Sequence, residues 1–248
     1  TTFRFNNQIG KVASDFISKN PQQIKKKIHA LQQVPAPAVS ILKRANSVVN
    51  SVSSSTLSSN DVNTNTASTN TANTNTSHQQ INELANGAID DVLAAISAKV
   101  LAGQTAPAAK KSPDKKPSPA SVYFLARFWF QLPSKADLER LKVKYPLLTL
   151  ESQSFHASKG KEADYVVILG LKKGVQGFPS EKTTPALLDT LLAKPEAYAY
   201  AEERRLFYVA LTRAKNRVYI IADISEASCF VKELIDQHAD NITVDEFA

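Results

Sequence analysis

The sequence predicts an α/β fold built on a mainly parallel sheet, and three observations carry that expectation. Short apolar runs at Val122–Ala126, Tyr165–Leu169 and Val218–Ala222 have the length of strands, and Leu147–Phe155 also reads as a strand. Segments with helical spacing, Lys135–Tyr145 and Glu202–Ala214, fall between them, and strands alternating with helices imply a sheet flanked by helices. The run Tyr165–Leu169 is apolar without alternation, as a strand covered on both faces requires.

The first element is a helix over residues 8–19, where Ile9, Val12, Ala13, Phe16 and Ile17 make one apolar stripe. Asn20-Pro21 ends it. The stretch Pro21–Gln33 is basic, and Pro35 and Pro37 then break the pattern. Residues 50–80 are nearly all Ser, Thr, Asn and Ala, with Asp61 as their only charge. Such a segment buries too little apolar area to offset its ordering entropy, so it reads as a long disordered insertion. A helix returns over 81–101, with Ile81, Leu84, Ala85, Ile89, Val92, Leu93, Ile96 and Val100 on a 3.6 period and Gly103 at its end. The stretch PAAKKSPDKKPSP, 107–119, is a second linker, stiffened by proline and positively charged.

Composition narrows the classes. The hydrophobic share of 43% is ordinary for a globular protein, but its uneven spread confines the core to less than the full 248 residues. No apolar run approaches the length that spans a bilayer, and the polar, basic start lacks a signal-peptide pattern. The single cysteine, Cys229, excludes an intrachain disulfide and a cysteine metal cluster, and reads as a small packing residue of a cytoplasmic protein. The net charge of +7 is unevenly placed: residues 1–44 hold eight Lys or Arg against Asp15 alone, whereas the chain after Ala222 holds seven acids and one lysine. A phosphate-backbone partner at one end fits that asymmetry. The chain contains no methionine and begins on Thr-Thr-Phe-Arg-Phe, which reads as a part of a longer protein.

Two segments carry the chemistry. In open α/β sheets ligands bind at the carboxyl ends of strands, and the string His156-Ala157-Ser158-Lys159-Gly160-Lys161-Glu162 directly follows the strand ending at Phe155. Lys159 and Lys161 suit phosphates, Glu162 suits a ribose hydroxyl, and His156 suits a nucleotide; an ordinary polar turn is the other reading. The connection is too short for a crossover helix, so it is a loop or a single turn. In the second segment, Arg213 continues the apolar face of Leu206, Val209 and Ala210. A charge there is costly unless paired or presented to an interface. It is either a transition-state finger on a γ-phosphate or a structural partner of Glu202 or Glu203. Arg204 and Arg205 read as scaffold pairs. The phosphate-cradling pattern G-x-x-x-x-G-K-[ST] is absent, as is a D-E-x-x strand end. With neither a Walker A nor a Walker B motif, this chain is not expected to hydrolyse ATP alone, and no metal ligands are assigned.

SFHASKGKEADYVVILG, from Ser154, resembles motif V of the UvrD/Rep-type superfamily 1 DNA helicases. AEERRLFYVALTRAKNRVYII, from Ala201, resembles their motif VI, and TTFRFNNQIGKVASDFI, at the start, resembles motif IV. The YFLAR strand at 123–127 and the GFP at 177–179 add to the resemblance, which covers about 1–33 and 81–235. It implies a RecA-like (P-loop NTPase-type) fold and ATP-driven 3′-to-5′ translocation on single-stranded DNA with duplex unwinding. The chain would be the second of two RecA-like domains, its partner the missing N-terminal one that carries the P-loop and the Mg²⁺ carboxylates. Residues 1–33 would open that domain, 34–120 would be insertion and linker, and 121–248 would be its remainder with an acidic tail. By carry-over Arg4 and Arg213 reach the γ-phosphate of ATP, Glu162 holds the ribose, and Gly160 and Lys159 shape the loop beside the nucleotide. His156 and Ser158 meet DNA. The rival expectation is a catalytically inert DNA-binding or interaction fragment of a truncated helicase gene. A helicase-nuclease is disfavoured, because no carboxylate-lysine constellation is present and the chain after Ala239 reads as a solvated acidic end.

Overall fold

The computed structural model describes residues 2–24, 28–44, 72–105, 119–181 and 198–247, the side chains of 44, 72–86, 104–105 and 247 excepted. Its elements are α1 (Asn7–Ile17), β1 (Val39–Arg44), α2 (Ala72–Thr105), β2 (Ala120–Ala126), α3 (Lys135–Lys144), β3 (Leu148–Ser154), β4 (Ala163–Ile168), α4 (Ala201–Leu211), β5 (Ala214–Ala222), α5 (Cys229–Gln237) and β6 (Thr243–Phe247). Six strands form one sheet in the order β3-β2-β4-β5-β1-β6, and every pairing is parallel. The expected α/β class is the observed one.

Both faces of the sheet are covered, and the side-chain period of two sorts each strand between them. Val166 and Ile168 of β4, Val218 and Ile220 of β5, and Val39 and Ile41 of β1 face α1, α4 and α5. Val167, Tyr219 and Ile221 face the opposite side, where α2 supplies Ile89, Val92, Leu93 and Ile96 and α3 supplies Leu141. This two-sided burial is why the central strands read as unbroken apolar runs.

Four expectations are corrected here. The segment 34–120 is not simply insertion and linker: Val39–Arg44 is an interior strand, flanked by β5 and β6. The chain after Ala239 is not a free acidic end either. Its residues Thr243–Phe247 pair with Ser40–Arg44, and Lys43 reaches Glu246 at 2.7 Å. The helix expected over 81–101 spans Ala72–Thr105, so residues 72–80 of the low-complexity tract are helical. The rest of the expected disordered insertion, 50–71, and nearly all of the linker 107–119 lie outside the described residues. Cys229 is exposed in the first turn of α5, not packed in the core.

The helical face is organised by five phenylalanines and one arginine. Phe16 meets Phe207 and Phe230 edge-on at 5.1 and 5.0 Å, and Phe155 meets Phe178 at 4.8 Å. Gly177 lets the loop before Phe178 close, because a Cβ there would collide with the Lys172 carbonyl. Arg204, only 6% exposed, stacks over Phe16 at 4.3 Å and Phe230 at 4.9 Å. It donates to both oxygens of Glu233 at 2.8 Å and to the Phe16 carbonyl at 3.1 Å, which fixes α1, α4 and α5 to one another. The scaffold role expected for Arg204 is what the contacts support, and Arg205 pairs with Glu202 within α4.

Burial pushes the Glu233 carboxyl up, but bonds from Arg204 and Lys19 outweigh it and hold the group below the ordinary value. A depressed folded-state pKa stabilises the native protein above the unfolded pKa of about 4.3, and that stabilisation is lost as pH falls through the folded value. Glu233→Gln should therefore flatten the fall in urea midpoint below about pH 4.3. Arg204→Met at pH 7 should cost about 1.5–3 kcal/mol, because it removes the bidentate partner of a half-buried carboxylate and leaves Lys19 as its remaining partner. Urea unfolding measures both, and an unchanged midpoint in Arg204→Met would disprove the role.

Candidate functional site

Strand direction decides where the two motif segments meet. Ser154 pairs beside Ala126 at the carboxyl end of β2, whereas Ala163 opens β4 at its amino end. The eight-residue connection 155–162 must therefore run back past β2, an offset of about 20 Å along the strands. It does so through tight turns closed by Ser158 N–H to the Ser154 carbonyl (3.1 Å) and Lys161 N–H to the Ser158 carbonyl (3.0 Å). Phe155 and Ser158 are tucked inward, while His156, Lys159, Gly160, Lys161 and Glu162 are exposed. Gly160 has φ +87°, a conformation that disfavours a side chain.

The residues expected to form one site thus divide between the two ends of the sheet. His156 lies at the carboxyl end of β3. Glu162 lies at the amino ends of β4 and β5, where its carboxylate receives Lys215 at 2.9 Å. The expectation that this whole string sits at the carboxyl ends is corrected accordingly. Ser158, expected to meet DNA, is fully buried, and its hydroxyl donates to the Phe155 carbonyl at 2.7 Å and closes the turn.

Arg213 occupies the amino end. α4 stops at Leu211, so Arg213 follows the helix cap and does not lie on the helix face. It is 7% exposed. Its Nε donates to the Val209 carbonyl at 2.9 Å, Nη1 to the Lys161 carbonyl at 3.0 Å, and Nη2 to the Thr212 hydroxyl at 3.3 Å. Its own carbonyl accepts the Ala163 N–H at 3.0 Å. The end of α4, the connection 155–162 and the starts of β4 and β5 are joined through this one residue. The alternative of a pair with Glu202 or Glu203 is not realised, because Glu203 binds Arg127 at 3.1 Å and Glu202 binds Arg205.

Burial, and then the like charge of Arg4, push the Arg213 guanidinium down from its ordinary value; Tyr208 and Glu162 offset this in part. An arginine nevertheless stays protonated in proteins. Arg4 and Arg213, assigned from opposite ends of the sequence, are thus electrostatic neighbours. The chain reaches this arrangement through Asn6. This residue caps α1 by accepting the Ile9 N–H at 3.0 Å, and its Nδ2 donates to the Asn216 carbonyl at 2.8 Å and the Lys215 carbonyl at 3.2 Å. Asn6, Lys215 and Thr212 were missed from the sequence. Only Asn6 carried a signal, as a helix-capping residue before an apolar-periodic segment. No group of three or more metal-binding side chains occurs among the described residues, and no described helix is long and apolar enough to cross a membrane.

Residues 134–224 match the family model described as the UvrD-like helicase C-terminal domain. The chain is 31% identical over 234 residues to DNA helicase IV of Escherichia coli K12, an alignment covering 94% of this chain and 25% of that protein. It is 27% identical over 124 residues to the exonuclease/helicase subunit RexA of Lactococcus lactis subsp. cremoris MG1363, covering 36% of this chain and 10% of that one. The chain therefore spans a quarter or less of these relatives. A solved C-terminal domain of a possible DNA helicase from Lactobacillus plantarum WCFS1 aligns with 99% of this chain and all of its own, at 13% identity and a TM-score of 0.45.

Replacing Arg213 with alanine should speed amide exchange at Lys161 and Ala163 and leave the buried amides of β2 unchanged. Equal exchange at both places would show that the Lys161 carbonyl does not depend on the guanidinium.

Proposed function

We propose that this chain, which carries a UvrD-like helicase C-terminal domain, is the second RecA-like half of a cytoplasmic, ATP-dependent DNA helicase that moves 3′ to 5′. The observation that carries the reading is the buried Arg213 guanidinium at the amino end of β5. It is bonded to neutral oxygens and not to a carboxylate, and it feels the like charge of Arg4. Such an arrangement favours an anion between the two cations. A triphosphate fits it. Mg²⁺ fits nothing comparable among the described residues, and the first RecA-like domain is the expected source of its ligands.

In this reading Arg213 and Arg4 add positive charge at the γ-phosphate when the cleft between the two domains closes. Three of the five N–H donors of Arg213 already hold protein oxygens, which leaves two for the nucleotide and fixes the direction they point. Glu162, with Lys215 beside it, takes the ribose hydroxyls, and Lys159 and Gly160 shape the loop that approaches them. His156 meets single-stranded DNA at the other end of the same connection. Closure then links hydrolysis to a step along DNA.

The test is DNA-stimulated ATP hydrolysis by this chain alone, and after mixing with a purified first RecA-like half from a relative. The expected outcome is silence alone and turnover on mixing. In the mixture Arg213→Ala should lower turnover by about 10³-fold or more while ATP binding persists. Turnover by the chain alone, or undiminished turnover by the variant, overturns the assignment. Silence in the mixture, with the halves shown to associate, favours the inert-fragment reading.

A further inference from the structure

At the carboxyl end of the sheet the segment Arg127–Leu132 presents two large aromatic side chains to solvent. Trp129 is 64% exposed and Phe130 is 52% exposed, although each lies one turn from the core residue Leu132. Phe130 stacks on Phe128 at 5.3 Å and 10°, and the Arg127 guanidinium lies over Phe128 at 5.3 Å. Trp129 and Phe130 also line a cavity of about 370 Å³ with Gln131, Pro133, Lys135 and Leu169, a volume in the range of small-ligand sites.

The turn is held in place. The Gln131 carboxamide accepts the Phe128 N–H at 3.2 Å and donates to the Gln176 carbonyl at 2.8 Å. It rests against Gly170, where any Cβ would collide with it. Exposed aromatic rings on a fixed turn lose little entropy on binding.

The charges beside the turn favour an anionic occupant. Asp137 is engaged by Arg140 and Ser134, and Glu203 by Arg127. Lys135 and Lys173 are exposed and have no ion pair among the described residues. Phosphates and planar rings are what such a surface suits: cations track a backbone while aromatic side chains stack its bases. The turn also leaves the sheet beside His156, since Phe155 N–H bonds the Ala126 carbonyl at 2.9 Å.

We propose that Trp129 and Phe130 form a base-stacking site for single-stranded DNA, with Lys135 as a phosphate contact. This rests on the reading above that His156 meets DNA at this end. Trp129 is the only tryptophan in the chain, so its emission reports this site alone. The full chain is titrated with oligodeoxythymidylate carrying an end label, and both label anisotropy and tryptophan emission are recorded.

The expected result is binding with quenched emission and reduced access of iodide to the indole. Trp129→Ala, at an exposed position, should weaken binding roughly 5- to 150-fold without changing the salt slope. Lys135→Gln should instead reduce that slope by about one. Binding with unchanged emission and undiminished affinity in Trp129→Ala overturns the stacking site and leaves the proposed function intact. Failure of the labelled strand to bind at low salt overturns both. Shielding of Trp129 by the first RecA-like half without DNA makes the turn a domain contact and overturns the stacking site.

Discussion

A buried guanidinium whose hydrogen bonds go to neutral oxygens is the constraint around which this domain is arranged. Arg204 and Arg213 leave the same stretch of chain, and each is less than a tenth exposed. Arg204 is neutralised by a bidentate carboxylate and sandwiched by aromatic rings. Arg213 has three neutral oxygens and a second arginine nearby. Removing a charge from water costs several kcal/mol unless it is paired, so the two residues stand in opposite energetic situations. The charge of the first is matched within the fold, although its Nε has no hydrogen-bond partner. The second is held by neutral oxygens at the amino ends of β4 and β5. Groups perturbed by burial cluster at functional sites, and structural networks produce them as well.

The parallel sheet then determines what the connection 155–162 can do. An antiparallel pair would have returned the chain at the same end, with Glu162 beside His156. Because β3 and β4 run the same way on either side of β2, eight residues must span the sheet, and their two ends serve different surfaces. Phe155 and Ser158 pin the upper part to the helical face, while Lys161 is pinned at the lower end by Arg213. If nucleotide draws Arg213, the Lys161 carbonyl moves with it. The proposed function thus has a short covalent route between its two sites, made of tight turns instead of a flexible loop.

Much of this was legible in the sequence because the inner strands are buried on both faces and read as apolar runs. β4 and β5 announce themselves that way, and α1 shows its stripe from Ile9 to Ile17. β1 did not. Its residues Val39–Arg44 are half polar, follow two prolines and precede the low-complexity tract. Ser40 is buried because its hydroxyl meets Arg217 and Thr243, which local pattern cannot reveal. β6 was hidden by its acids, which suit an edge strand whose side chains reach solvent. At the site, residue type was a better guide than spacing. Arg4 and Glu162 act electrostatically on Arg213, but Ser158 spends its hydroxyl on the turn, and Arg213 lies past the helix whose face suggested it. The first comes from a local turn bond and the second from where the helix ends, neither of which periodicity encodes.

Asn6 shows how the two arginines come to be neighbours at all. Arg4 lies on an exposed turn, where its own N–H donates to the Thr2 hydroxyl at 3.3 Å. Two residues later, Asn6 is fully buried and ties the start of α1 to the Lys215 and Asn216 carbonyls of β5. Its amide therefore fixes the Arg4 turn relative to the strand that follows Arg213. Truncating it would leave two strand carbonyls and a helix N-terminus short of partners, and each such loss costs roughly 1–3 kcal/mol when buried. The geometry of the charged pair is thus held by a neutral side chain, and the cations themselves remain available to an incoming anion.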